Sequence, residues 1–96
     1  MIPKDVRQSP DKVCGYYADK GTKVTVKIAD FDKDMVLIEG EREALEFLGN
    51  LLITQAKFDK DCSFFIGPRT AGRALFNRNS KLGLYIHRLP CIEGGR

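Results

Sequence analysis

A single run of helical periodicity constrains the fold of this chain more than any other feature. Between residues 41 and 57 the apolar side chains recur at intervals of three and four, the spacing of one face of an α-helix. The stripe contains Ala44, Leu45, Leu48, Leu51, Leu52, Gln55 and Ala56, with Phe47 widening it. We find no second long run of this kind. Because one helix can cover only one face of one sheet, the sequence predicts one helix packed on one sheet.

Short apolar segments predict the strands of that sheet. Residues 22–28 alternate between polar and apolar, whereas the apolar residues at 35–38 are consecutive and indicate a more central strand. Strands are also predicted at 62–66, 73–76 and 82–89, and residues 13–18 have the composition of an additional short strand. The predicted fold class is therefore α+β. It has a mostly antiparallel sheet, in the order strand, strand, helix, strand, strand, strand, with one amphipathic helix on one face, where Leu45, Leu48, Leu51 and Leu52 should pack.

Length and composition indicate one globular domain. The 96 residues are 43% hydrophobic and 30% charged, with a net charge of +3, which suits a chain with one modest core. We predict a single domain over 1–96, with residues 1–12 and 92–96 flexible. No apolar run approaches the about 18 residues that a membrane helix needs, and the first residues lack a signal-peptide pattern. We expect a cytoplasmic protein with no membrane partner.

The three cysteines, Cys14, Cys62 and Cys91, are predicted to be reduced and partly buried. Their number is odd and no C-x-x-C spacing occurs, so neither a disulfide framework nor a zinc knuckle is indicated. Cys62, His87 and Cys91 could be imagined as metal ligands. A structural zinc site uses four ligands, however, and the sequence shows no fourth. We therefore predict no metal and no cofactor.

Two segments imitate known motifs without meeting their requirements. The acidic loop at 30–41 has the carboxylates of a calcium loop, but Met35 stands where that motif needs glycine. Residues 67–73 have the glycine spacing of a phosphate-binding loop but lack its Lys-Ser/Thr end. His87 and Cys91 as a nucleophile pair lack an orienting third group. We predict that the protein is not an enzyme.

The final predicted strand sorts its side chains into two faces. Alternation places Leu82, Leu84 and Ile86 toward the core and leaves Tyr85 and His87 on the outer face. Phe65 joins this outer face if residues 62–66 alternate in the same way. A lone histidine is more often a packing residue than a chemical group, so both interpretations of His87 stay open.

Charge is distributed unevenly along the chain. Residues 67–96 contain six basic residues and one acidic residue, whereas residues 41–61 contain three basic and five acidic residues. Arginine and aromatic side chains commonly anchor protein interfaces. The predicted partner-binding residues are Phe65, Arg69, Arg73, Arg78, Tyr85, His87 and Arg88.

The stretch VLIEGEREALEFLGNLLITQA, residues 36–56, resembles a unit of small predicted immunity proteins from bacterial toxin systems. In that family a strand ending in glycine leads into a Leu/Ala-rich helix, and a later strand carries a histidine, to which residues 87–89 correspond. Residues 57–84 and the first strands depart from the family pattern. The resemblance implies toxin binding without catalysis, and no functional residues are carried over from it.

These observations predict a small, non-catalytic bacterial protein that binds a protein partner, with a cognate toxin as the candidate. A homodimer through the edge of the final strand is a further prediction. The alternative is a nucleic-acid-binding module that uses the basic C-terminal third. The chain lacks the two helices and the aromatic signature strand of single-stranded RNA readers, which makes nucleic acid the second choice.

Overall fold

The computed structural model describes residues 2–91, in which helices and strands are mixed along the chain. The helices are α1 (Pro10–Asp19) and α2 (Arg42–Lys57), and the strands are β1 (Thr25–Ala29), β2 (Asp32–Glu39), β3 (Ser63–Ile66) and β4 (Leu84–His87). Short 3-10 helices occupy Val6–Gln8 and Arg73–Leu75. The predicted α+β class is confirmed, whereas the single helix is not. Residues 92–96, which were expected to be flexible, lie outside the described residues.

Helix α1 replaces the short strand that was predicted at residues 13–18. Its start carries ordinary helix signals, because Ser9 Oγ accepts a hydrogen bond from Lys12 N at 3.2 Å and Pro10 occupies the first turn. Its buried residues are Pro10, Val13 and Tyr17, which recur at three and four and form one face. Residues 6–8 and the first turn of α1 give regular structure to much of the segment 1–12, for which flexibility was predicted.

The strands form two separate antiparallel pairs, so the predicted single sheet is wrong. Strand β1 pairs with β2, and β3 pairs with β4. Strand β2 was predicted to be central, yet within residues 2–91 its only strand partner is β1. The strand predicted at 73–76 is mostly a 3-10 helix, which follows Gly72 in the left-handed region at φ +80°.

The segment after the second 3-10 helix covers the other edge of β1. Val24 and Phe76 form an isolated parallel bridge, in which Asn77 N donates to the Val24 carbonyl at 2.8 Å. Ser80 Oγ accepts from Val26 N and donates to the Val24 carbonyl, both at 3.1 Å. These bonds satisfy the backbone groups on this side of β1 and leave β2 as the outer strand of the hairpin.

One core cluster lies between the two helices, β1 and the second strand pair. Tyr17 of α1 and Phe47 of α2 have ring centroids 5.3 Å apart, and Asn50 Nδ2 donates to the Tyr17 hydroxyl at 2.9 Å. The buried residues of the cluster are Ile2, Val13, Tyr17, Val24, Val26, Ala44, Phe47, Leu48, Leu51, Ile66, Leu75 and Phe76.

The prediction of which α2 leucines face the core is correct for two of the four. Leu48 and Leu51 are buried, whereas Leu45 and Leu52 are exposed. The stripe read from the sequence is wider than the surface that α1 and the core cover, so one flank of the helix remains in solvent. None of the helices in residues 2–91 is both long and apolar enough to span a bilayer.

Candidate functional site

The second strand pair gathers three aromatic rings on one face. Its register sets Phe65 opposite Tyr85 and Ser63 opposite His87, and directly opposed residues of an antiparallel pair share a face. The intervening positions, Phe64, Ile66, Leu84 and Ile86, pack against the core or belong to it. The sidedness predicted for the final strand is therefore observed, although the strand is shorter than predicted and Leu82 precedes it.

The rings of this face form a row: Phe65 contacts Tyr85 on the neighbouring strand, and Tyr85 stacks on His87 of its own strand. Phe65 and Tyr85 have centroids 6.2 Å apart in an edge-to-face arrangement, and Tyr85 and His87 are stacked with centroids 6.3 Å apart and planes within 5°. Phe65 is 55% exposed and Tyr85 is 74% exposed, and His87 is exposed as well. We call Phe65, Tyr85 and His87 the aromatic face. It presents flat apolar surface, with one hydroxyl and one imidazole, directly to solvent.

A shallow groove continues the aromatic face toward the ends of the two strands. Its volume is about 340 Å³, and Phe65, Tyr85, Arg69 and Lys81 are among its lining residues. Its floor requires glycine, because a Cβ on Gly83 would lie 2.6 Å from the Ile66 carbonyl oxygen. The groove therefore places two cations beside two exposed aromatic rings.

Three of the predicted arginines lie elsewhere. Arg88 is half-buried, and its Nη2 donates to the Phe58 carbonyl at 3.0 Å, where a cation suits the C-terminus of α2. Arg73 begins the second 3-10 helix, and Arg78 lies in a turn within the segment that bonds to the edge of β1. Of the predicted basic residues, Arg69 is the one that the structure brings to the aromatic face, and Lys81 was not predicted.

Strand β1 contributes nothing to this face. Because β1 belongs to the other strand pair, Lys23, Thr25 and Lys27 are not on the same sheet as Tyr85. Thr25 is also buried, and its hydroxyl accepts from Asn77 Nδ2 and donates to Asn79 Oδ1, each at 3.0 Å.

Two of the three cysteines are paired, so the prediction of reduced thiols fails for them. Cys62 and Cys91 form a disulfide across 29 residues of sequence, with Cα atoms 5.8 Å apart. The Cys62 and Cys91 sulfurs and a ring nitrogen of His87 all lie within 4.8 Å of one another. The sequence separated these residues, and the register of β3 with β4 brings them together.

The remaining cysteine has a different environment. Cys14 lies half-buried in α1 and is not disulfide-bonded. Burial, with a smaller contribution from the charge of Asp11, raises the pKa of its thiol to about 12. A thiol of this kind stays protonated and unreactive at neutral pH.

One ion pair joins the end of α1 to the start of α2. Lys20 Nζ lies 2.8 Å from Glu43 Oε2, and the Thr22 hydroxyl donates to Glu43 Oε1 at 3.0 Å. Hydrogen bonds from Lys20 and then from Thr22 hold the pKa of Glu43 below its usual value, and the hydrogen bond with Glu43 raises the pKa of Lys20. The pair has its partners within the fold, so we assign it a structural role.

Sequence reasoning missed an apolar surface on the β1–β2 hairpin. Ile28 opposes Val36, and Val26 opposes Ile38, so these side chains share a face. Val26 is buried, but Ile28, Val36 and Ile38 are each more than 40% exposed, and Phe31 in the turn is 81% exposed. The consecutive apolar residues of β2 were interpreted as a sign of a central strand. They equally fit an outer strand with apolar residues on both faces.

Comparison of the chain with protein-family models, with curated proteins and with solved structures found no match. No family is therefore assigned to it.

Proposed function

We propose that this protein works by binding a protein partner through the aromatic face and its adjoining groove, without catalysing a reaction. The observation that carries the proposal is the row of exposed rings Phe65, Tyr85 and His87 on one strand pair. Aromatic side chains bury large areas at a small cost in conformational entropy, and they dominate the energetics of protein interfaces.

The size of the face sets how far the partner must extend. A stable interface covers about 800 Å² on each partner, and the whole chain exposes 6736 Å². Each aromatic side chain buries about 150–250 Å² in full, so three partly covered rings do not reach that area. The partner must therefore also cover the groove that Arg69 and Lys81 line.

The charge beside the rings defines the chemistry of the partner. The basic residues Arg69 and Lys81 line the groove together with Phe65 and Tyr85. A complementary surface is therefore acidic and has an apolar centre that packs on the rings. The resemblance of residues 36–56 to predicted immunity proteins supplies a candidate, a bacterial toxin. Cytoplasmic location and a homodimer through the edge of β4 remain predictions.

Site-specific photo-crosslinking tests the proposal. A photoreactive phenylalanine analogue replaces Tyr85 in one variant and Phe31 in another, and both are expressed in the producing cells. Phe31 is the matched control, because it is an exposed aromatic residue outside the aromatic face. We expect position 85 to capture one protein that position 31 does not. The captured protein is then purified for calorimetric titration.

The calorimetric titration measures how much the aromatic face contributes to the affinity for the captured protein. Tyr85→Ala should raise the dissociation constant at least about tenfold, equivalent to about 1.4 kcal/mol, whereas Phe31→Ala should leave it unchanged. Equal crosslinking at both positions, or an affinity that Tyr85→Ala does not change, contradicts the proposal.

Single-stranded nucleic acid is the second candidate, because exposed rings beside cations also describe a base-stacking surface. Fluorescence anisotropy with a labelled oligothymidine and a labelled oligouridine tests it. If Arg69 and Lys81 both contact phosphates, binding should weaken about sevenfold between about 50 mM and 200 mM salt. A protein complex dominated by the rings should change much less. Crosslinking of position 85 to RNA or DNA favours this second candidate over the first.

A further inference from the structure

The Cys62–Cys91 disulfide and His87 form a cluster that the aromatic face does not explain. Cys62 immediately precedes β3, and His87 ends β4 opposite Ser63. Arg88 N donates to the Cys62 carbonyl at 2.7 Å, which extends the ladder past His87. The backbone therefore fixes Cys62 beside His87, and the disulfide brings Cys91 to the same point.

We propose that reduction of the disulfide converts this cluster into a metal site in which Cys62, His87 and Cys91 bind one Zn²⁺ ion. Two thiolates and an imidazole bind Zn²⁺ in preference to Mg²⁺ and Ca²⁺, because those two cations prefer oxygen ligands.

The geometry requires little movement. Tetrahedral zinc with bonds of about 2.3 Å to sulfur and about 2.0–2.1 Å to nitrogen separates its ligand atoms by about 3.5–3.8 Å. The three ligand atoms already lie within 4.8 Å of one another. Once the sulfur–sulfur bond is broken, the thiolates separate, and the exposed ring of His87 turns from its stack on Tyr85 toward them.

The fourth position of the ion faces solvent. Within residues 2–91 the cluster offers three ligands, and one of them, His87, is exposed. Three protein ligands with one open position is the arrangement of zinc sites that bind water or an external ligand. A donor atom from a binding partner can therefore complete the coordination.

The chemical steps balance with a thiol as the reductant. Two thiol molecules transfer two electrons and two protons to the disulfide, giving the Cys62 and Cys91 thiols and one small-molecule disulfide. Zn²⁺ then displaces the two protons and binds both thiolates. Oxidation by an added disulfide reverses the sequence and releases the ion. The site exists only in the reduced protein.

The inference is independent of the proposed function, but His87 connects the two. Its ring stacks on Tyr85 in the oxidised protein, and coordination through a ring nitrogen would draw the imidazole toward the sulfurs. Metal binding would therefore remove one ring from the aromatic face while leaving Phe65 and Tyr85 in place.

Cobalt spectroscopy tests the site directly. The protein is reduced with a phosphine, which does not compete for metal through sulfur, and Co²⁺ is titrated as a spectroscopic substitute for Zn²⁺. We expect one equivalent of Co²⁺ to give a thiolate-to-cobalt charge-transfer band with the visible bands of tetrahedral cobalt, and one equivalent of Zn²⁺ to abolish both. The oxidised protein should give neither.

Three variants identify the ligands. Cys91→Ser should lose most of the charge-transfer band, and His87→Ala should weaken binding by more than the about 10–100-fold that loss of an outer-shell partner costs. Cys14→Ser is the matched control and should behave as the wild type, since that cysteine lies in α1. Circular dichroism verifies that each variant is folded.

A charge-transfer band that is absent from the reduced wild type, or undiminished in Cys91→Ser, overturns the proposal. Unchanged cobalt affinity in His87→Ala overturns the three-ligand site. Neither result bears on the crosslinking experiment, which uses the aromatic face.

Discussion

Leu51 and Leu52 are neighbours in the sequence with opposite environments. Leu51 is 0% exposed and Leu52 is 52% exposed. Leu51→Ala should lower the free energy of unfolding by about 2–5 kcal/mol, because it leaves a cavity in the core. Leu52→Ala should cost less than about 1 kcal/mol, because the leucine is already half in solvent. Urea denaturation of both variants measures the difference, and equal losses would show that the flank of α2 is covered.

This pair also shows what residue-level prediction achieves. The three-and-four spacing correctly identified α2 and its buried residues Ala44, Leu48 and Leu51. It assigned Leu45 and Leu52 to the same face, because apolar character alone does not report how wide the opposing surface is. The width depends on α1, where the sequence predicts a flexible segment up to residue 12 and a short strand over 13–18.

The Lys20–Glu43 ion pair should make the stability of the protein depend slightly on pH. The pKa of Glu43 is lowered in the folded protein. Its contribution to the free energy of unfolding is therefore complete above the pKa of the unfolded state, and it is lost as pH falls through the pKa of the folded state. Glu43→Gln should remove this contribution, so the free energies of unfolding of the variant and the wild type should converge at low pH. Lys20 has a raised pKa, so its contribution is lost as pH rises through that folded value.

Urea midpoints measured between about pH 3 and pH 7 report this effect. Glu41→Gln is the matched control, because Glu41 lies at the same end of α2 and its side chain makes no capping hydrogen bond. A difference between Glu43→Gln and the wild type that stays constant with pH would contradict the assignment. Added salt should reduce the effect, since both side chains of the pair are substantially exposed.

At the level of elements, replacing either of two glycines with alanine should change stability in opposite directions. Gly49 lies within α2, and a Cβ there would meet nothing within 4 Å. Gly49→Ala should therefore stabilise the protein by about 0.5–1 kcal/mol. Gly83 precedes β4, where a Cβ would approach backbone atoms of β3 that cannot move aside. Gly83→Ala should destabilise it by about 1–3 kcal/mol.

Thermal melts of the two variants should shift in opposite directions. If both alanines stabilise the protein, the close approach of residue 83 to Ile66 is wrong, and the floor of the groove with it.

The elements differ in how far local sequence determines them. Strands β1 and β3 and helix α2 follow from periodicity. Helix α1 begins with Ser9-Pro10-Asp11, a helix-start signal that the predicted flexible segment 1–12 left out of account, and Tyr16 and Tyr17 favour strands. The division into two strand pairs could not be predicted locally, because it depends on the long-range bonds of residues 75–82 to β1.

At the level of the whole molecule, the disulfide is the longest covalent constraint. It closes a segment of 29 residues that contains β3, the groove and β4. The chain-entropy estimate for such a loop is about 3–4 kcal/mol, so reduction should lower the free energy of unfolding by about that amount. Urea unfolding with and without a reductant measures the loss. Cys14→Ser should show the same loss on reduction, and an unchanged midpoint would contradict the pairing.

The candidate site shows the same limit of sequence reasoning. Alternation correctly placed Tyr85 and His87 on one face, because that assignment needs only the period of their own strand. Phe65 was a conditional member of this face, and the register of β3 with β4 adds it. The Cys62–Cys91 pair and the position of Lys81 depend on how separate segments meet in space. An odd number of cysteines without a spacing motif carries no signal for such a pairing.

The β1–β2 hairpin has a consequence for how the protein behaves at high concentration. Within residues 2–91 the outer edge of β2 has no strand beside it, and exposed Val36 and Ile38 make it a template to which a second chain could add. Asp32, Asp34 and Glu39 lie along the same strand, so pairing two such strands would bring acidic side chains together. Two of these acids, Asp32 and Asp34, belong to the loop that imitates a calcium motif, and acidic side chains along an exposed edge disfavour the addition of a second chain.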